Sequence, residues 1–156
     1  PLVSEVFQQA FTGPNQISLL PETKIAAEDL LRVPNGEVTE EGVRENISAS
    51  LQYLDAWMQG TGAVAIFGRM EDTATAEIAR SQLWQWIHYG ALLTDRRKVD
   101  AHLWEQVCAE EVDKLLEGRD VEDPKSLDKA VELLNELVNS PTFTEFLTIP
   151  GYRSLE

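Results

Sequence analysis

Asp72 is the residue with the most chemical potential in this chain. It stands where a glycine-bearing stretch (Gly60, Gly62, Gly68) gives way to a helix-forming run, and Glu71 immediately precedes it. A carboxylate at the start of a helix can accept the free N–H groups of the first turn, and the positive end of the helix dipole stabilises it. The same oxygens can accept a proton, so Asp72 suits either of two tasks: an N-cap or a general base. Capping is the commoner use of an acid at this position. Glu77 lies beyond the first turn and is expected to pair at the surface with Arg80 or Arg69. The other candidates are weaker. His88 and His102 fall in different elements, and neither has a Cys or His partner at ligand spacing, so no metal site is expected here. Cys108 falls on an apolar helical stripe, where a free cysteine is ordinarily a small core residue rather than a nucleophile. Gly60-Thr61-Gly62 lacks the preceding strand and the following spacing of a phosphate-binding loop.

Composition narrows the function classes. The chain has 156 residues, enough for one domain with its own core, and its hydrophobic content of 43% with four Trp fits a folded chain. Twenty-seven Asp and Glu against 13 Lys and Arg give a net charge of -14. That balance argues against nucleic acid and anionic membrane surfaces, whose phosphates call for Lys and Arg. A solvated acidic surface that favours solubility accounts for it. One cysteine cannot form an internal disulfide, which suits a reducing compartment. No apolar run approaches a membrane span and no signal peptide is visible. The chain starts at Pro1 rather than Met and ends on Leu155-Glu156. We expect a cut or processed start and a cloning remnant at the end, with which a targeting tripeptide would have been lost.

The elements that must position Asp72 follow from periodicity. Residues Leu2 to Phe11 suit a short helix that Gly13-Pro14-Asn15 breaks, and Ala26–Leu31 suits another before the turn at Pro34-Asn35-Gly36. Residues 1–36 therefore read as a connecting arm and residues 37–156 as a helical domain. Thr39 caps a helix whose apolar face is Val43, Ile47, Leu51, Leu54 and Met58, and Gly60 ends it. The run Ala63 to Phe67 reads as a small strand or an extended, partly buried loop. The helix after Asp72 carries Ala79, Leu83, Trp86 and Ile87 on one stripe. Trp84 projects roughly 200° from Trp86 around the helix and is expected to face outward onto a partner surface. Tyr89-Gly90-Ala91 stops this helix, and the Asp95-Arg96-Arg97-Lys98 linker reads as solvated. Asp100 caps a helix with the face Trp104, Cys108, Val112 and Leu115, which Gly118 ends. Asp123-Pro124 starts the next helix, with Leu127, Val131, Leu134 and Val138 on its face. Ser140-Pro141 repeats that signal before a short final helix around Phe143–Leu147, ended by Pro150-Gly151. No convincing strand appears. The class is all-α, a compact bundle of about five helices with an N-terminal connecting arm. Leu51, Leu54, Leu83, Trp86, Val112 and Leu134 are its expected core.

The run Met70-Glu71-Asp72, Ala74-Thr75-Ala76-Glu77-Ile78, Arg80-Ser81-Gln82 and Trp84-Gln85-Trp86-Ile87-His88 resembles the signature near the C-terminal end of malate synthases. Thr39 to Ile47, the Gln52-Tyr53…Trp57 segment, Pro14-Asn15-Gln16 and Phe146 to Tyr152 resemble that family's flanking sequence, so the resemblance covers nearly the whole chain. It implies a TIM-barrel enzyme with a helical C-terminal plug domain, of which this chain resembles only the latter part. It implies that Asp72 is the base that removes a methyl proton from acetyl-CoA, and that the enolate then attacks glyoxylate held by Mg²⁺. Hydrolysis of malyl-CoA would give malate and CoA, the malate-forming step of the glyoxylate cycle. The Mg²⁺ ligands and the enolate-stabilising Arg would belong to the barrel, so no cofactor is expected in this chain, and the barrel would be its partner, covering Trp84. Some members place a Cys in the loop before the signature; Ala63 stands at the matching position, which leaves a redox role for the loop without support. The implied location is cytoplasmic, or peroxisomal or glyoxysomal with a C-terminal signal. The alternative is a non-catalytic acidic helical interaction module in which Asp72 only caps a helix.

Overall fold

The computed structural model describes residues 2–11, 13–15, 24–33, 35–117 and 124–155. The chain divides into two units, Pro1–Asn35 and Gly36–Glu156. The expected turn at Pro34, the helix stop at Gly118 and the cap at Asp123 lie outside the described residues.

In the first unit, helix α1 spans Leu2–Ala10 and helix α2 spans Ala27–Leu31. Both were legible from spacing. The rings of Phe7 and Phe11, one turn apart, stack with centroids 5.5 Å apart. Asp29 reaches back to accept the Ala26 N–H at 3.1 Å and pairs with Arg32 at 3.0 Å. No described residue of this unit is buried.

The second unit is built on helix α3, Glu40–Met58, which packs against the three other long helices. Thr39 caps it by accepting the Gly42 N–H at 3.0 Å, and Gly60, at φ 87°, ends it. Val43, Ile47, Leu51 and Leu54 are buried along one face, as their spacing requires. Next come strands β1, Val64–Ile66, and β2, Arg69–Glu71, then helix α4, Thr73–Tyr89. Gly90, left-handed at φ 61°, stops α4. Helices α5, Ala101–Glu117, and α6, Pro124–Asn139, complete the bundle. Asp100 caps α5 by accepting the Leu103 N–H at 3.0 Å. The all-α reading holds, with one small antiparallel hairpin added.

Several expectations are corrected. Residues 143–147 are not helical; the last helix, α7, is Thr148–Gly151, followed by a 3-10 turn at Tyr152–Ser154. Pro150 and Gly151 are the last two residues of that helix, and the chain runs on from them into the 3-10 turn. The cause is that four backbone groups of 140–147 bond to side chains of α4 rather than to one another in a helical ladder. The carbonyls of Ser140, Thr144 and Glu145 accept from Trp84 and Arg80, and the Leu147 N–H donates to Glu77. This segment also overturns the outward placement expected of Trp84. Trp84 is buried beneath it, its indole N–H donating to the Ser140 carbonyl at 2.8 Å and its ring meeting Phe143 edge-on at 5.2 Å. Trp86 is partly buried and packs against the core. Val112 is half-buried too, because α5 turns Leu103, Trp104, Val107, Cys108 and Glu111 inward. In the linker, Asp95, Arg96, Arg97 and Lys98 are exposed, as read, but its ends are anchored. Leu93 and Val99 are buried, Leu93 bridges to Val38, and Arg97 pairs with Glu40 and Asp95.

Charged side chains also cross between the helices. Arg44 on α3 binds Glu40 and reaches Glu110 at 2.6 Å and Glu111 at 3.1 Å on α5. The Arg97 and Arg44 guanidiniums hold the Glu40 carboxyl below its ordinary range.

Candidate active site

The hairpin determines how the chain arrives at Asp72. Ile66 pairs with Arg69, Ala65 with Met70 and Val64 with Glu71, leaving a two-residue turn at Phe67-Gly68. Both turn residues have positive φ, 50° and 74°, the backbone pattern of a turn whose twist matches that of paired strands. Ile66 is buried and fixes the hairpin to the bundle, while Phe67 and Met70 are exposed. The chain then passes from β2 through Asp72 directly into α4, with no intervening loop.

Asp72 has an extended backbone and accepts the Ala74 N–H on Oδ1 at 2.9 Å. It is exposed, and among the described residues its Oδ2 has no hydrogen-bond partner. It is thus an N-cap with one oxygen engaged and one directed to solvent. The two flanking residues are tied more firmly. Glu71 is half-buried and accepts a hydrogen bond from the Thr75 hydroxyl. The Thr73 hydroxyl lies 2.5 Å from that of Tyr53 on α3, and Tyr53 also donates to the Gly62 carbonyl at 3.3 Å. A surface groove beside the hairpin is lined by Glu45, Asn46, Phe67, Glu71, Thr75 and Ile78 among others. Glu71 therefore faces this groove; Asp72, the next residue along the chain, does not line it.

The other sequence candidates are scattered. His88 is exposed, stacked on Trp84 at 4.4 Å and set edge-on to Tyr89 at 4.9 Å. His102 is exposed near the start of α5. Cys108 is buried in the wall of an apolar groove between α5 and α6, and burial pushes its thiol up to about 11. Among the described residues no three His, Cys, Asp or Glu side chains converge as metal ligands.

Sequence reasoning misjudged Arg80. It is not a surface partner of Glu77 but one of the most buried side chains of the unit, 1% exposed. Its guanidinium donates to Glu77 at 2.7 Å, to the Thr144 carbonyl at 2.7 Å and to the Glu145 carbonyl at 3.1 Å, and lies 4.3 Å over the Phe143 ring. Position 80 falls between Ala76 and Leu83 on the inward stripe of α4. An Arg on such a stripe with a carboxylate three residues earlier was the available signal.

A family model described as malate synthase, C-terminal, matches residues 37–155, nearly all of the second unit. The chain belongs to the malate synthase family. Malate synthase from Myxococcus xanthus (strain DK1622) is 44% identical over 158 aligned positions, covering 99% of this chain and 29% of that protein. The bifunctional glyoxylate cycle protein of Caenorhabditis elegans is 43% identical, covering 99% of this chain and 16% of that protein. Malate synthase A of Escherichia coli (strain K12) is 40% identical, covering 90% of this chain and 27% of that protein. The chain therefore spans less than a third of the length of these malate synthase relatives, and it corresponds to the C-terminal region. The hairpin, the Asp72 cap and the Arg80 clamp all fall within the matched region. Among the described residues no helix is long and apolar enough to cross a membrane.

Proposed function

We propose that this chain works as the C-terminal part of a malate synthase and supplies Asp72 as the general base for the condensation of acetyl-CoA with glyoxylate. The observation that carries the reading is the cap geometry of Asp72 within the family signature. Oδ1 is fixed by the Ala74 N–H while Oδ2 is open to solvent at the end of a long helix. A thioester methyl is a weak carbon acid, so its base must be held in place within hydrogen-bonding reach of the proton it takes. Asp72 Oδ2 would take a methyl proton of acetyl-CoA, the enolate carbon would bond to the aldehyde carbon of glyoxylate, and water would then cleave malyl-CoA to malate and CoA. Mg²⁺, when bound by the rest of the enzyme, would polarise the glyoxylate carbonyl. No residue described here is assigned to hold it.

The barrel of the family is the proposed partner, and the chain alone is expected to release no CoA from acetyl-CoA and glyoxylate. The cap hydrogen bond equally supports a purely structural Asp72, and one substitution separates the two roles. Asn keeps an oxygen for the cap but cannot accept the methyl proton. In the complete enzyme, Asp72→Asn should leave substrate affinity near that of the parent and lower turnover by roughly a hundredfold or more, the scale of a lost general base. The direct measurement is exchange of acetyl-CoA methyl protons with solvent deuterium in the presence of a non-reacting glyoxylate analogue. Parental exchange by Asp72→Asn would make Asp72 a cap only. Mixing this chain with the matching barrel fragment should restore CoA release, and the Asp72→Asn chain should fail to do so.

A further inference from the structure

We propose that Tyr53 is a positioning residue for Asp72, acting through a hydroxyl pair that fixes the first turn of α4 to α3. This rests on the reading of Asp72 as the base. Tyr53 is completely buried in the C-terminal half of α3. Its ring cannot shift without repacking the close-packed core around it. The phenol nonetheless reaches two points on the chain that brackets the hairpin. It donates to the carbonyl of Gly62, two residues before β1, and it shares a 2.5 Å hydrogen bond with the hydroxyl of Thr73, the residue after Asp72. With the phenol proton on Gly62, the Thr73 hydroxyl is left to donate to Tyr53. One buried oxygen thus ties together the entry to the hairpin and the exit from it.

Asp72 itself has no comparable anchor. Its side chain is exposed, and its hydrogen bond to Ala74 fixes it only relative to α4. Where that first turn sits relative to the bundle depends on side chains around it. Ile66 and Ala76 supply apolar contact, which is tolerant of small displacements, whereas the hydroxyl pair is directional. Displacing a catalytic group by about 1 Å can cost roughly a hundredfold in rate. The Tyr53 hydroxyl therefore acts on proton abstraction rather than on whether the domain folds.

The test uses the complete enzyme. Tyr53→Phe keeps the ring and removes the tie; Thr73→Val removes it from the other side. Each should lower kcat and the methyl-exchange rate by about 10- to 100-fold with KM for acetyl-CoA changed less than about threefold, the split expected for loss of placement alone. The double variant should be no slower than either single one, because both remove the same interaction. Thr73→Ser, which keeps the hydroxyl, should recover most of the rate. Ile47→Val, compared with Tyr53→Phe at equal loss of melting temperature, controls for destabilisation and should keep parental kcat. Asp72→Asn is run beside them. If it exchanges as fast as the parent, the base assignment fails and this inference fails with it. If it abolishes exchange while Tyr53→Phe and Thr73→Val keep the parental rate, the positioning role alone is overturned. Equal losses of kcat in Ile47→Val and Tyr53→Phe would also overturn it. Should Tyr53→Phe not fold, Thr73→Val at its half-buried position decides.

Discussion

Replacing Arg80 with Met tests the clamp that joins α4 to the 140–147 segment. Met retains much of the apolar stem and removes the guanidinium. Three hydrogen bonds are lost, two to carbonyls and one to Glu77, together with the stacking on Phe143. Hydrogen bonds to charged groups contribute about 1.5–3 kcal/mol each, but losses within one network do not add. Removing one partner of a buried ion pair costs about 3–5 kcal/mol. Here the lower end applies, because Glu77 retains 21% side-chain exposure and Glu145 is at the surface, so water can re-solvate part of what is left. We therefore expect a loss of about 3 kcal/mol, which for a cooperative unit of about 120 residues is a fall in melting temperature of roughly 10 °C. Urea denaturation followed by circular dichroism gives the free energy. Tryptophan emission reports the mechanism, since the Trp84 indole is held to the Ser140 carbonyl under the same segment. The native spectrum of Arg80→Met should shift to the red as that indole becomes wet. Arg80→Lys, which keeps the charge but loses the planar fork, should fall between the two. A loss below about 1 kcal/mol with unchanged emission would refute the clamp, since that is the scale of an exposed ion pair.

Two further stability predictions follow from burial. Leu83→Ala, at a fully buried position of α4, should cost about 2–5 kcal/mol in denaturation experiments. Cys108 should respond to pH in a defined direction. Burial raises its thiol in the folded chain from about 9 to about 11, so below pH 9 it is protonated in both states and contributes no pH dependence. Between those values the unfolded chain ionises and the folded one does not, and stability falls as pH rises. Cys108→Ala should lack that component of the fall, and in the parent alkylation at pH 8 should be slow until the protein unfolds.

The helix ends were legible because each carries a local chemical signal. Thr39, Asp72 and Asp100 have side-chain oxygens three or fewer residues before a free N–H, and Gly60 and Gly90 accept left-handed backbone at no steric cost. The inward faces were legible less well, since a stripe can be read one position too far around the helix. Trp86 and Val112 accordingly pack at the margin of the core rather than at its centre. What could not be read was the covering of α4 by residues distant in sequence. Trp84 and Arg80 are buried by the 140–147 segment, and nothing local in Ser140 to Leu147 announces that its backbone will bond to side chains some 60 residues earlier. The Ser140-Pro141 signal for a helix start was real chemistry, overridden by those long-range partners. The first strand of the hairpin falls within Ala63 to Phe67, which read as a strand or a loop, but its pairing with Arg69–Glu71 was missed for another reason. Its turn is Phe67-Gly68, and a phenylalanine at positive φ is a poor advertisement for a tight turn.

The site is legible in a different sense. Spacing alone leaves Asp72 as a cap, and the cap is present. The structure adds that capping engages a single oxygen, so the geometry that satisfies the helix also leaves an exposed carboxylate oxygen at a fixed place. The cap therefore does not compete with the proposed chemical role. The helix carrying that oxygen is held near its start by the Tyr53–Thr73 hydroxyls and in its middle by Arg80 and Glu77. A side chain on a gripped helix end can be solvent-exposed without being loosely placed, which is the condition a base acting on an incoming substrate must meet.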